Sequence, residues 1–178
     1  MCCMFNQQGK SRGSKMNQQE YSIGFVFNAR MSQILLIKKG HGPKCVIGRW
    51  NGIGGHIELG ETPLQCQVRE FEEETGVHLP EANWAKFTEL RGADFTVHCF
   101  WAVSNFAVYN ARTKTDERVE IINTRAYGLQ NITNIPLAPN LTWWIPFLKD
   151  KTTKNHLCAV LANYMKDDEL DADTNAAI

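Results

Sequence analysis

Three carboxylates, Glu70, Glu73 and Glu74, fall within two turns of a stretch that reads as helix, beside Arg69 and shortly after Glu58 and Glu61. With Leu64 as zero and ~100° per residue, they project at about −120°, 180° and −80°, on one face. Like charges at this spacing repel one another, so the face either spreads into solvent or holds a cation. Hard divalent cations take oxygen ligands, and Mg2+ is bound by a few carboxylates together with substrate phosphates and water. Residues 50–57 (WNGIGGHI), just upstream, carry Gly52, Gly54 and Gly55, where the backbone must bend or approach something closely. A carbonyl of this loop could add a further oxygen. These residue types point to metal-assisted chemistry on an anionic substrate.

Such a face needs a helix of fixed register. Thr62 is a good N-cap, Pro63 sits where a missing N–H costs nothing, and Gly76 supplies a C-terminal stop. Between them Leu64, Val68, Phe71 and Thr75 project at about 0°, 40°, −20° and 20°, a narrow stripe that must face the core. Upstream, residues 21–27 (YSIGFVF) and 33–37 (QILLI) read as strands joined through 28–32 as a hairpin, with a Gly/Pro-containing loop over 40–49. Downstream, residues 84–90 and 95–108 are β-rich, and 121–129 predicts another strand. Residues 141–148 (LTWWIPFL) predict a short aromatic helix in spite of Pro146, and 156–164 reads as strand or helix. Strands and helices mix without regular βαβ alternation. The expected class is α/β, an α/β/α sandwich with a mixed β-sheet, with α+β as the alternative.

From Gly55 to Val77 the chain reads GHIELGETPLQCQVREFEEETGV. Gly55, five residues, Glu61, seven residues and then Arg69-Glu70-Phe71-Glu72-Glu73-Glu74-Thr75-Gly76-Val77 fill every fixed position of the Nudix box, so this 23-residue segment resembles that of the Nudix hydrolase family. The strand-rich flanks suit the Nudix-like sandwich and extend the resemblance over about 20–150. The resemblance implies an enzyme that cuts a nucleoside diphosphate linked to a further group, with Mg2+ as cofactor and Mn2+ able to substitute. It makes Glu70, Glu73, Glu74 and the Gly54 carbonyl the metal ligands, has Arg69 orient the acids, and has Glu61 support the loop–helix junction. The proton acceptor is Glu74 or a later acid; Glu117, in the segment Thr115-Asp116-Glu117, is the candidate, with Glu120 close behind.

Residues 48–55 (GRWNGIGG) are similar to the segment preceding the box in the MutT branch, especially in enzymes that act on oxidised purine nucleoside triphosphates. That resemblance implies a base contact for Asn51, against the alternative of a turn role. Residues 142–147 (TWWIPF) resemble an aromatic segment near the end of the same enzymes, which makes Trp143 or Trp144 a candidate to stack on a base, with core packing as the alternative. Those enzymes carry two adjacent acids just before this segment to read the oxidised purine edge, and here Asn140 and Leu141 take their place. Only a modest preference for an oxidised purine is therefore expected. The expected reaction is hydrolysis of a purine deoxynucleoside triphosphate to the monophosphate and pyrophosphate. Nucleotide sugars, dinucleotide polyphosphates and capped RNA are the alternative substrates. A catalytically silent nucleotide sensor is the alternative class, but such a domain would be expected to lose acids from the box, and this one keeps them all.

The remaining composition bounds the setting. A chain of 178 residues suits one domain with tails, and 43% hydrophobic against 21% charged residues excludes wholesale disorder. No apolar run reaches the ~18 residues of a membrane span, and the start MCCMFNQQGKSRG lacks the apolar centre of a secretory signal. Six cysteines without CxxC pairs read as reduced thiols, so a cytoplasmic location is expected; Cys2 and Cys3 make only a weak lipidation motif. Net charge is zero, made up of +3 over residues 1–19, +1 over residues 20–165 and −4 over residues 166–178. No stable nucleic-acid complex is expected, and a nucleotide's phosphates must be met by a local site. The polar ends, 1–19 and 166–178, read as flexible tails around one domain, 20–165.

Overall fold

Apolar alternation along two adjacent strands decides the architecture. The computed structural model describes residues 18–92, 94–124, 135–149 and 163–164. In chain order these form β1 (Gln19–Phe27), β2 (Gln33–Lys38), β3 (Trp50–Asn51), α1 (Pro63–Thr75), β4 (Ala85–Gly92), β5 (Phe95–Val103), α2 (Asn105–Asn110), β6 (Val119–Asn123), α3 (Leu141–Lys149) and β7 (Asn163–Tyr164). β1 and β2 pair antiparallel, and side chains alternate between the two faces of each strand. Phe25, Phe27, Ile34 and Leu36 enter one core layer with Trp144, while Val26, Leu35 and Ile37 enter the other with Phe71. A sheet apolar on both faces needs cover on both. α1 supplies it on one side and α3 on the other, which gives the expected α/β/α sandwich.

The strand order is β3-β2-β1-β5-β4-β7, with β6 also paired to β2. β1 and β5 run parallel from Gln19 opposite Phe95 to Phe27 opposite Val103. β4 pairs antiparallel with β5 and parallel with β7, so the sheet is mixed. Among the described residues no helix is long and apolar enough to cross a membrane.

Local chemistry sets the ends of the elements. Thr62 and Gln65 form a reciprocal capping box at the start of α1, and Gly76, at φ 72°, closes it by donating its N–H to the Glu72 carbonyl at 2.7 Å. The strand expected over 95–108 stops at Val103, because the Ser104 hydroxyl accepts the Ala107 N–H at 3.1 Å and starts α2. The strand expected over 121–129 is β6, which starts earlier; residues 125–134 lie outside the described residues. So do residues 156–162, while Asn163–Tyr164 form β7. Pro146 sits inside α3, whose Leu141, Trp144, Ile145 and Leu148 are buried in the core. Trp144 is 1% exposed, with its ring edge-on to Phe25 and Phe87 at centroid distances of 5.6 and 5.5 Å.

A charged cluster lies across β4 and β5. Glu89 pairs with Lys86, with Arg91 Nη2 at 2.9 Å and with His98 Nδ1 at 3.1 Å. Hydrogen bonds from Lys86 and Arg91 hold its carboxyl down to about 2 from a usual 4.5. A lowered carboxyl contributes stability above its unfolded value and loses it as pH falls through the folded one. Thermal melts should therefore place Glu89→Gln below the parent at pH 7, and the gap should close between pH 4.5 and 2. A constant gap would contradict this pairing.

Candidate functional site

One flank of α1 rests on the glycine loop. On the helical wheel Gln67, Glu74, Glu70 and Cys66 project at about −60°, −80°, −120° and −160°, and each meets the backbone of residues 53–56. Gln67 Nε2 donates to the Ile53 carbonyl at 3.2 Å, and the Gly54 N–H donates to Glu74 Oε2 at 3.2 Å. A Cβ on Gly55 would overlap the Glu70 carboxylate, and the Cys66 thiol donates to the His56 carbonyl at 3.4 Å. Gly54 has φ 153°, and a Cβ there would run into the Ser22 carbonyl. The carbonyls on either side are occupied: Ile53 accepts from Gly24 N and Gln67, and Gly55 accepts from Ser22 N. Among the described residues no group donates to the Gly54 carbonyl, which leaves that oxygen for a ligand.

Arg69 spaces the acids. Its Nε and Nη2 grip the two oxygens of Glu61 at 2.9 Å each, and Nη1 reaches Glu70 Oε1 at 2.9 Å and Glu73 Oε2 at 3.3 Å. A two-pronged guanidinium–carboxylate pair is directional as well as strong. It holds the Glu61 carboxyl below its usual range. Nη2 also donates to the His56 carbonyl at 3.1 Å, which ties helix, loop and Glu61 together.

Lys39, the residue after β2, is one that sequence reasoning missed. Its Nζ pairs with Glu117 and lies 3.8 Å from Glu74 Oε1. β2 pairs with β6, Ile37 opposite Val119, and this register carries the segment before β6 to Lys39. Glu117 Oε1 also accepts the N–H groups of Gly40 at 2.6 Å and His41 at 3.2 Å. The Lys39 charge pulls the carboxyls of Glu74 and Glu117 downward and is a minor influence on Glu70. Burial raises Glu74 to about 7 against the pull of Lys39, and burial likewise raises Glu70. At Glu117 burial pushes upward, but Lys39 and the two N–H groups outweigh it and hold the carboxyl below its usual value. Gln67 was also missed; it is fully buried and held by the Ser22 hydroxyl at 2.9 Å.

The predicted residues thus fall into two environments. Glu74 and Glu117 meet at Lys39, with Glu70 on the same flank of α1 as Glu74, whereas Glu73 has a side chain 57% exposed and turns to Arg69. Glu120 pairs with Arg118 and stays outside the group. No three Asp, Glu, His or Cys side chains among the described residues converge tightly enough to enclose an ion. Their chemistry nevertheless fits a hard divalent cation: carboxylate oxygens are the dominant donors, and the Gly54 backbone adjoins Glu74 through its N–H. The one nearby sulfur, Cys66, is pushed by burial up to about 12 and faces backbone.

On the other side of the loop, Asn51 Oδ1 accepts the N–H of Gly52 at 2.9 Å, so its carbonyl serves the turn while its NH2 group points elsewhere. Trp50 N donates to the Pro136 carbonyl at 2.7 Å and the Ala138 N–H returns to Trp50 O at 2.8 Å, which brings the segment leading to Asn140 beside Asn51. Asn140 and Leu141 are buried. Trp144 is enclosed by Phe25 and Phe87, which matches the core-packing alternative and leaves no ring face for a base. Trp143 lies on the same helix, its side chain outside the described residues.

A family model described as NUDIX domain matches residues 18–144. The oxidized purine nucleoside triphosphate hydrolase of Mus musculus is 27% identical over 135 residues, which cover 74% of this chain and 80% of that protein. The m7GpppN-mRNA hydrolase NUDT17 of Xenopus laevis is 38% identical over 66 residues, 37% of this chain; the match spans only 22% of that relative's length. Among solved structures, a mutator MutT protein from Bacillus halodurans superposes with a TM-score of 0.57 at 19% identity, covering 84% of this chain and 92% of that one. At that identity the likeness is one of fold.

The buried Glu74 sets a test of this geometry. A carboxyl raised to about 7 contributes stability that is present below its usual 4.5 and lost as pH rises through 7. The metal-free parent should lose stability across that interval. Glu74→Gln should not, and should melt higher than the parent at pH 8 by the equivalent of about 1–3 kcal/mol. A Glu74→Gln variant that melts lower than the parent at pH 8 would contradict the burial cost.

Proposed function

The chain belongs to the NUDIX domain family, and on that premise we propose that it is a metal-dependent pyrophosphohydrolase that converts a nucleoside triphosphate to the monophosphate and pyrophosphate. The observation that carries this reading is the meeting of Glu74 and Glu117 at Lys39, with Glu74 also accepting the Gly54 N–H and Glu70 on the same flank of α1. The mouse relative, similar over most of both chains, supports a purine nucleotide as substrate. The shorter match to the frog mRNA hydrolase supports capped RNA as the second reading. Residues 20–165 form the catalytic domain in this reading, flanked by tails. The buried thiols of Cys66 and Cys99, outside any disulfide among the described residues, suit a cytoplasmic setting.

Glu70, Glu73, Glu74 and the Gly54 carbonyl would hold Mg2+ or Mn2+. When bound, the ion supplies charge screening for the pyrophosphate and a more acidic attacking water. Arg69, anchored by Glu61, keeps Glu70 and Glu73 at fixed spacing. Glu74, lifted toward neutrality by burial, suits the removal of the water's proton. Glu117, held low by its three donors, is the weaker base and fixes negative charge opposite Glu74. Asn51 offers its NH2 group to a base edge, and Trp143 remains the stacking candidate.

Two outcomes test the reading. Hydrolysis of dGTP should stop in excess EDTA and return with Mg2+. Glu73→Gln should lower kcat/KM by roughly 100-fold, the scale of losing a positioned charged group. Its melting temperature should stay near the parent's, since Glu73 is exposed and lies off the apolar stripe. Full turnover in EDTA, or parental activity of Glu73→Gln, would remove the metal assignment.

The base is tested separately with dATP, dGTP, dCTP, dTTP, 8-oxo-dGTP and a capped RNA. Asn51→Ala should weaken discrimination among bases about fivefold or more, equivalent to roughly 1–3 kcal/mol for an unpaired polar group. An equal drop on every substrate would assign Asn51 to the turn alone. A parent that prefers the capped RNA would favour the second reading.

A further inference from the structure

Lys39 places an ammonium where an arriving metal ion would be most strongly attracted. Its Nζ pairs with Glu117 and lies 3.8 Å from Glu74, and its charge reaches Glu70 as well. The side chains of Lys39, Glu74 and Glu117 are only 18%, 10% and 8% exposed, so water screens these charges poorly. An ammonium and a divalent ion cannot both take the same oxygens at close range.

The surroundings allow the lysine to leave without dismantling the site. The Lys39 backbone is held by its own N–H to the Arg49 carbonyl at 3.0 Å and by Gly48 N to its carbonyl at 2.7 Å. Only the flexible side chain has to swing away. Glu117 keeps the N–H groups of Gly40 and His41 when Nζ departs. Glu74 keeps the Gly54 N–H. Glu70 and Glu73 are spaced by Arg69 and do not rely on Lys39 for position.

Resting on the pyrophosphohydrolase reading, we propose that Lys39 is the resident counter-cation of the metal-free site and that divalent metal binds by exchange with its ammonium. In the metal-free protein Lys39 relieves the repulsion among Glu70, Glu74 and Glu117. The same contact sets a low affinity for the ion, because each binding event must first displace a close, poorly screened charge. Lys39 is therefore a positioning residue whose removal should strengthen metal binding, the reverse of what a purely structural prop would do.

The test measures Mn2+ binding to the full chain without nucleotide, by the electron paramagnetic resonance signal of free Mn2+. It compares the parent with Lys39→Met, Lys39→Arg and Glu74→Gln. Lys39→Met should bind Mn2+ about tenfold tighter, a modest share of one charge interaction at a few ångströms. It should also melt lower than the parent without metal and gain more on Mn2+ addition. Lys39→Arg, which keeps the charge, should bind like the parent. A folded Lys39→Met with equal or weaker Mn2+ binding overturns the exchange. Should Lys39→Met fail to fold, the parent with isotope-labelled lysine decides: the Lys39 Nζ resonance should move as Mg2+ saturates the site, and an unmoved resonance overturns the proposal. If the parent binds no Mn2+, or binds it equally well as Glu74→Gln, the metal site itself falls. If Glu74→Gln loses Mn2+ while Lys39→Met gains nothing, the exchange alone falls.

Discussion

Mutual repulsion of carboxylates pressed against one flank of α1 is the constraint to which the rest of the structure answers. Glu70 and Glu74 are buried enough that burial raises both carboxyls. Taking charge out of water is costly unless it is paired and hydrogen-bonded. The chain meets that cost in three ways. The Arg69 fork is anchored on Glu61, the Gly54 N–H reaches Glu74, and Lys39 closes the far side. Each depends on a different stretch of sequence, so the arrangement exists only in the folded protein.

The helix can carry this charge because its opposite side is anchored. Phe71 packs edge-on to Trp84 at 5.3 Å and shares a core layer with Val26, Leu35 and Ile37. The Thr62 capping box and the left-handed Gly76 fix where the helix begins and ends, and hence which residues meet the loop. Glycine at 54 and 55 lets the loop lie closer to β1 and to Glu70 than any side chain would permit. The β2–β6 pairing then delivers Lys39 and Glu117 to the same point from two loops.

Much of this was legible in the residues. The caps at Thr62 and Gly76, the stripe Leu64, Val68, Phe71 and Thr75, and the acids' angles are local properties, and the helix has those limits. The wheel gave one acidic face, but the fold divides it. At about −80° Glu74 meets the glycine loop, whereas Glu73, opposite the core, reaches solvent and Arg69. An angle says where a side chain points, and only tertiary packing says what covers it. Choosing Glu117 over Glu120 likewise needed the β2–β6 register, and Lys39 and Gln67 carry no local pattern that marks them. The strand that overran Val103 failed for a local reason, since the Ser104 cap outcompeted β-rich neighbours.

The central claim is that these acids serve the cleavage of a nucleotide's pyrophosphate by water. It is tested most directly by following dGTP with the purified chain and Mg2+ by phosphorus NMR, with products identified. The account predicts the monophosphate and pyrophosphate as sole products. Release of inorganic phosphate with the diphosphate, or no turnover of any nucleoside triphosphate, would contradict it.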